Sequence, residues 1–272
     1  MKKTTMGLVL VALLIPGVCA AQSLSFGVVP QQSATKLARL WTPILAYLSR
    51  ESGVKLRFAT ASNIPTFEKR LAAGRYDFSY MNPYHYTVFS ESPGYKAFAR
   101  QKDKRIKGIV VVRKDSDLQS LADLDGARLA FPSPAAFAAS VLPRAKLAQD
   151  NIHYEPNYVS SHDSVYLGVS RGLFPAGGGV MRTFNNTDPA VRENLQVLWT
   201  TKTYTPHAFA AHPSVPADAV ARVQAAMMKM NEDPEGVALL KSINFKGMQV
   251  AESADWDDVR GLGISLLSDL AE

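Results

Sequence analysis

Cysteine is almost absent from this chain of 272 residues, whose single thiol is Cys19. Beyond that position no disulfide can form and no cysteine nucleophile exists, so thiol chemistry is excluded there. Metal binding is not favoured either, because the later histidines show neither H-x-x-x-H spacing nor a cysteine partner. These histidines are His153, His162, His207 and His212. The sequence therefore predicts no metal site.

A strong charge excess is also missing, since 30 basic and 24 acidic residues leave a formal charge of +6. The basic stretch RQKDKRIK at 100–107 lacks interleaved aromatic residues, which favours a solvated loop over a nucleic-acid patch. The apolar run at 6–15 is too short to cross a bilayer. We therefore expect neither a nucleic-acid partner nor a membrane span.

The first residues follow the order of a secretory signal peptide. Two lysines at 2–3 precede the apolar run, a Pro-Gly pair follows at 16–17, and small residues stand at 19–21. We predict a cleaved signal peptide over 1–21 and export to the periplasm. Val18 stands where a lipid-attachment site needs a small residue, so a lipoprotein is not expected.

Strand patterns alternate with helix patterns along the rest of the chain. LSFGVVP at 24–30 is typical of a buried strand, and the residues at 33–53 have the apolar spacing of a helix. This alternation predicts an α/β protein with two lobes, each a mainly parallel sheet flanked by helices. We expect lobe 1 over 22–111 and 206–272 and lobe 2 over 112–205, joined by two hinge crossings.

Three predicted helix starts directly follow predicted strands. Ser133 in FPSPAAF suits an N-cap, with Pro134 at the first helical position, and Asn82 and Asn63 precede similar prolines. In open parallel sheets such starts gather where the strands end, and their free amides favour anions. Capped helices are also common without any ligand, so a single start is weak support for binding.

Aromatic, imidazole and guanidinium groups accompany these positions. Tyr80 ends a predicted strand, and Tyr84 and His85 lie in the next helical turn, where they could line a pocket or simply pack. His162 begins a later predicted helix. Arg182 follows AGGGVM, whose glycines would allow close approach of a ligand or form a loose turn.

Four blocks of sequence occur in a characteristic order: LSFGVVPQQSATKLARLWTPILAYLSRESGVKLRF, GRYDFSYMNPYHY, GIVVVRKDSDLQSLADLDGARLAFPSPAAFAAS and SSHDSVYLGVSRGLF. In this order the chain resembles the periplasmic phosphate, phosphite and phosphonate binding proteins of ABC importers. These form the PhnD-like group of the type 2 periplasmic binding fold. The resemblance covers nearly the whole chain after the leader and implies two α/β lobes that close over a small ligand.

The resemblance also implies which positions bind the ligand. Relatives hold phosphonate oxygens at a Ser-Thr-Ser-like helix start, which falls at Ala136, Phe137 and Ala138 here, so the hydroxyls are replaced. Acidic residues that hold a ligand amino group in aminophosphonate binders fall at Arg182 and His207. We therefore expect a more anionic ligand than an aminophosphonate, because arginine can bind a carboxylate or phosphate bidentately. The full predicted set is Tyr80, Asn82, Tyr84, His85, Ser133, Ala136, Phe137, His162, Arg182 and His207.

One enzyme-like pattern, GVSRG at 168–172, matches the G-x-S-x-G nucleophile elbow. That elbow needs a sharp turn from strand to helix, whereas Ser170 lies near the end of a predicted helix. We therefore predict a non-catalytic protein without a cofactor.

The function predicted from these observations is solute binding in the periplasm. The protein would act as a monomer, capture a phosphonate, phosphate-like oxyanion or small organic acid between its lobes, and deliver it to an ABC importer. Two alternatives stay open. The same lobes could sense a ligand and dock on a sensor kinase or another membrane partner. A periplasmic enzyme is disfavoured because no nucleophile and base stand at recognisable spacing.

Overall fold

The computed structural model describes residues 23–270, and the predicted signal peptide lies outside the described residues. The strands are β1 (Leu24–Val28), β2 (Leu56–Ala59), β3 (Phe78–Met81), β4 (Lys96–Gln101), β5 (Gly108–Arg113), β6 (Ala127–Phe131), β7 (Tyr154–Tyr158), β8 (Ala176–Val180), β9 (Leu195–Thr200), β10 (Ala208–Ala211) and β11 (Met248–Val250). The α-helices are α1 (Ala34–Ser52), α2 (Ile64–Ala72), α3 (Pro83–Phe89), α4 (Leu142–Gln149), α5 (His162–Ser170), α6 (Met181–Asn185), α7 (Pro189–Arg192), α8 (Ala217–Lys229), α9 (Pro234–Ser242) and α10 (Asp257–Arg260). Short 3-10 helices occur at Leu121–Leu124, Ser253–Trp256 and Ser268–Leu270, and a π-helical turn at Phe137–Val141.

The strands form two sheets, in the orders β2-β1-β3-β10-β4-β11 and β7-β6-β8-β5-β9. The two-lobed α/β prediction is confirmed, but the prediction of mainly parallel sheets is wrong. β1 is parallel to β2 and β3, while β10 is antiparallel to both of its neighbours. In the second sheet β6 is parallel to β7 and β8, while β5 is antiparallel to β8 and β9. In each sheet, the strand inserted antiparallel between two neighbours is the one that has just crossed from the other lobe, and the edge strand β11 is also antiparallel to β4.

The chain crosses between the sheets at residues 102–107 and 201–207, and the crossings bond to each other. The amide of Ile106 donates to the oxygen of Tyr204 at 2.8 Å, and the amide of Tyr204 donates to the oxygen of Ile106 at 3.0 Å. Residues 108–111, predicted to belong to the first lobe, pair in the second sheet as part of β5. The hinge therefore precedes Gly108.

Polar caps set two of the three predicted helix starts. Asn63 Oδ1 accepts the amide of Thr66 at 2.8 Å, and Asn82 Oδ1 accepts the amide of His85 at 2.7 Å. Both starts are therefore confirmed. Helix α1 ends before Gly53, whose φ of 69° lies in the left-handed region that glycine tolerates.

The third predicted start, at Ser133, is wrong. The helix begins later, with the π-helical turn at 137–141, in which Ser140 and Val141 both donate to the oxygen of Ala136. The backbone oxygen of Ser133 accepts the amide of Ala136 at 3.4 Å, and its buried Oγ has no partner. The chain therefore makes a turn first, and Ala136 takes the cap position.

Two strand glycines let this π-helical turn pack directly on the second sheet. A Cβ at Gly108 of β5 would lie 2.0 Å from the carbonyl oxygen of Ala138. A Cβ at Gly178 of β8 would lie 1.9 Å from the carbonyl oxygen of Ala139. No side chain beyond hydrogen fits at these positions, so backbone contact fixes the depth at which the turn lies.

The apolar core continues from one lobe to the other. The first-lobe cluster around Phe26 and Trp41 also includes Phe137 and Val180 of the second lobe. Two further apolar clusters lie on the second sheet. Ile109 belongs to one of them, and Val110, the next residue of β5, belongs to the other. The lobes are therefore packed together. None of the helices within residues 23–270 is long and apolar enough to span a membrane.

Gly178→Ala should lower the free energy of unfolding by about 1–3 kcal/mol, because the added methyl group overlaps a carbonyl fixed in a packed core. Urea unfolding followed by circular dichroism measures this change. Gly261→Ala is the control, since its Cβ would lie 3.3 Å from the nearest atom, the oxygen of Asp257. If the Gly178→Ala chain is as stable as the Gly261→Ala chain, the close contact does not exist.

Candidate functional site

The predicted helix-start site is a small cavity between the lobes. It holds about 10 Å³, which is room for about one water molecule. Predicted residues from both lobes line it: Asn82, Ala136, Phe137, His162 and His207. A phosphonate group is larger than one water molecule, so the cavity as it stands does not admit one.

The Phe137 side chain narrows this cavity. It is buried, and its ring packs edge-on against Tyr204 of the second crossing, with ring centroids 5.3 Å apart. Its neighbours Ala136 and Ala138 carry no hydroxyl groups. The amides of Phe137 and Ala138 donate no hydrogen bond within the described part of the chain. Donors for an anion are present at this turn, but the phenyl ring takes the space beside them.

Gln31, in the loop between β1 and α1, links the two lobes. Its backbone oxygen accepts the amide of His162 at 3.0 Å, and its side-chain oxygen accepts a hydrogen bond from the Arg182 guanidinium. Nearby, Lys36 Nζ donates to the oxygen of Asn186 at 2.7 Å. These contacts hold the lobes in a closed arrangement.

His162 begins α5, as predicted, and is fully enclosed. Its Nδ1 lies 3.0 Å from Thr183 Oγ1, which in turn lies 2.8 Å from the hydroxyl of Tyr166. Burial lowers the pKa of His162 to about 3, and the positive charge of Arg182 adds to this effect. His162 is therefore neutral at pH 7 and acts as a hydrogen-bonding group.

A second, larger cavity adjoins the first and holds about 260 Å³. Ile106, Val180 and His207 line both cavities. Tyr80 and His207, both buried, form part of its interior wall. The first crossing and the start of α6 supply most of the remaining walls.

Basic side chains dominate the larger cavity, which is lined by Lys104, Arg105, Lys107 and Arg182 and by no carboxylate. Arg105 is paired with Asp258 at 2.7 Å. The other three form no salt bridge among the described residues. Burial lowers the pKa of Lys104, and the nearby charges of Arg182 and Lys107 lower it further. The cavity therefore carries uncompensated positive charge.

His207 lies at the boundary of the two cavities. Its ring stacks on Tyr80 with centroids 4.9 Å apart and an interplanar angle of 20°. Burial, followed by the charge of Arg182, lowers the pKa of His207 well below its ordinary value. His207 is therefore a buried, neutral imidazole in the wall shared by the two cavities, and its Nε2 lacks a hydrogen-bond partner.

Three predicted site residues lie outside both cavities. The hydroxyl of Tyr84 accepts the amide of Leu267 at 2.9 Å, beneath the C-terminal segment. His85 is in the core, with Nε2 2.9 Å from Glu68 Oε1. Ser133 is buried beside the π-helical turn without lining either cavity. The seven that line a cavity are Tyr80, Asn82, Ala136, Phe137, His162, Arg182 and His207.

Sequence reasoning missed Gln31, Lys104 and Lys107. The prediction of a solvated loop at 100–107 is wrong in part, because Lys104 is half-buried and the stretch contributes walls to the larger cavity. Its place just before the predicted boundary between the lobes was the available signal, since a hinge segment necessarily borders the cleft. Within residues 23–270 no group of three or more His, Cys, Asp or Glu side chains is placed to hold a metal ion.

Two lobes joined by two crossings, with polar cavities between them, are the architecture of periplasmic binding proteins. The type 2 fold is seen in solved structures. PhnD1 from Prochlorococcus marinus (MIT 9301), in complex with methylphosphonate, superposes with a TM-score of 0.81 and 19% identity, covering 89% of this chain and 97% of that one. A binding protein component of an ABC phosphonate transporter from Pseudomonas aeruginosa gives a TM-score of 0.82 and 15% identity, covering 89% and 85%.

Sequence comparison identifies the family. The profile of the family "ABC transporter, phosphonate, periplasmic substrate-binding protein" matches residues 26–256. The Phosphate-import protein PhnD of Mycolicibacterium smegmatis (strain ATCC 700084 / mc(2)155) is 18% identical over 281 residues, covering 91% of this chain and 82% of that protein. The chain belongs to this family of periplasmic substrate-binding proteins, which are transporter components and not enzymes. The predicted family is therefore confirmed.

His162→Gln should reduce the acid sensitivity of the fold. Because the pKa of His162 is about 3 in the folded chain and near 6.5 when unfolded, its contribution to stability falls as the pH drops from 6.5 towards 3. When the pH falls from 7.5 to 5, this group lowers the free energy of unfolding of the wild-type chain by about 2 kcal/mol. The glutamine variant lacks this loss of stability. Urea unfolding at the two pH values measures the difference.

The matched control is His153→Gln, because the His153 side chain is 90% exposed. This variant should keep the full loss of stability between pH 7.5 and pH 5. If His162→Gln shows the same pH dependence as His153→Gln, His162 is not a neutral buried histidine.

Proposed function

We propose that this protein captures a small anion between its lobes in the periplasm and delivers it to an ABC importer. Family membership supports the transport role. The observation that supports an anionic ligand is the cavity between the lobes, which is lined by basic side chains and by no carboxylate. Phosphonates, phosphate-like oxyanions and small organic acids have charge complementary to this cavity.

Arg182 is the principal ligand contact in this proposal. Its guanidinium already bridges the lobes through Gln31, and it retains further N–H donors that suit a phosphonate or carboxylate. The stacked rings of His207 and Tyr80 supply a wall of the cavity. His162 orders the surrounding backbone through its bonds to Gln31 and Thr183.

Ligand binding and lobe closure are coupled in this proposal. An anion held by groups of both lobes binds only the closed form, so it shifts the population towards closure about the crossings at 102–107 and 201–207. A membrane permease can then distinguish loaded from empty protein by shape. The protein acts as a monomeric carrier, and no chemical step on the ligand is needed.

Isothermal titration of the exported protein with inorganic phosphate, methylphosphonate and acetate tests this function. At least one of these anions should bind, and Arg182→Gln should weaken that binding at least tenfold, or about 1.4 kcal/mol, because a charge-assisted contact is lost. Arg171→Gln, an exposed position on the same lobe, is the control and should bind as the wild type does.

Two outcomes would count against the proposal. Unchanged affinity in Arg182→Gln would remove that residue from the site. An absence of heat and of any thermal shift with every anion would contradict anion capture itself.

A further inference from the structure

We infer that the ligand is a small molecule with two acidic groups, and that it lies in the larger, cation-lined cavity and not at the π-helical turn. The inference rests on the proposed function, because it specifies the ligand of the same interlobe cleft. Four observations lead to it: the charge around the larger cavity, the unpartnered His207 nitrogen buried in its wall, its apolar walls and its size relative to the smaller cavity.

The charge around the larger cavity exceeds what one acidic group balances. Lys104, Lys107 and Arg182 line it without a carboxylate partner, and Lys246 lies close enough to Lys104 to lower its pKa as well. Arg105 is already neutralised by an aspartate. Buried or half-buried cations are costly unless they are paired. Lys107 is exposed and hydrated, so the half-buried cations without a carboxylate partner are Lys104 and Arg182. A single carboxylate would balance one of them, whereas two acidic groups can balance both.

The lysines without a carboxylate partner and the unpartnered nitrogen of His207 lie at different depths. Lys107 is exposed and Lys104 half-buried, whereas His207 is buried and has an unpartnered Nε2. The groups that shift the pKa of His207, after burial itself, are all bases, with Arg182 foremost. One acidic group can therefore lie near the surface against the lysines, while the second lies deeper, against Arg182 and beside the buried ring of His207.

The larger cavity also suits the part of a ligand that joins two acidic groups. Ile106, Val180 and Met181 line it alongside the basic residues, and they offer an apolar surface for a short methylene linker. Its volume of about 260 Å³ compares with about 10 Å³ at the π-helical turn, where the Phe137 ring takes the space. A ligand with both ends anionic thus fits beside the turn and not against it.

Three ligands of similar length test the inference, because they share a phosphonate and differ at the other end. Phosphonoacetate ends in a carboxylate, ethylphosphonate in a methyl group and 2-aminoethylphosphonate in an ammonium group. Isothermal titration of the exported protein should show phosphonoacetate binding at least tenfold more tightly than ethylphosphonate. The aminoethyl compound should bind most weakly, because its ammonium group meets Lys104, Lys107 and Arg182.

Lys104→Gln should weaken phosphonoacetate binding at least fivefold and leave ethylphosphonate binding within twofold of wild type. Lys102→Gln is the matched control, since Lys102 is exposed on the same crossing and does not line the cavity. It should bind both ligands as the wild type does. Unfolding midpoints without ligand show whether each variant is folded.

Equal affinity for phosphonoacetate and ethylphosphonate, or no effect of Lys104→Gln on either, would overturn the inference and leave the proposed function standing. If none of the three ligands binds, and phosphate, methylphosphonate and acetate also fail to bind, the inference and the proposed function fall together. The two failures are therefore distinguishable.

Discussion

The central interaction of the structure is the electrostatic repulsion between basic side chains that line the cavity where the two lobes meet. Closure brings Arg182 of the second lobe next to Lys104 and Lys107 of the hinge, with no carboxylate in the cavity wall. The hydrogen bonds of Gln31 to His162 and Arg182 offset part of the repulsion between these positive charges. In the proposed function an anion relieves the repulsion that remains, and the ligand would select the closed form through charge.

Backbone packing limits the space that is open to an anion between the lobes. Gly108 and Gly178 allow the π-helical turn to press on the second sheet, which positions Phe137 in the smaller cavity. The free amides of the turn would suit an oxyanion, but the phenyl ring narrows the approach to them. The open volume lies on the other side of His207, beside the basic residues. The same fold thus offers two adjacent places for a ligand and leaves room in one.

Much of this could be predicted from the sequence, because local rules act on neighbouring residues. The caps at Asn63 and Asn82, the start of α5 at His162 and the alternation of strands and helices all follow from such rules. The later start at residue 137 could not be found in this way, since the π-helical turn packs on Gly108 and Gly178, which are distant from it in sequence. The antiparallel strands β5 and β10 depend on the path between the lobes, which periodicity does not encode. Gln31 and Lys104 join the site only through closure.

The most direct measurement is a crystal structure of the protein grown with phosphonoacetate. The account predicts ligand density among Lys104, Lys107 and Arg182, with the Phe137 ring still packed on Tyr204. Density for the phosphonate against the amides of Phe137 and Ala138, with the ring displaced, would contradict it. That result would mean that the helix start binds the anion and that the basic residues serve another purpose.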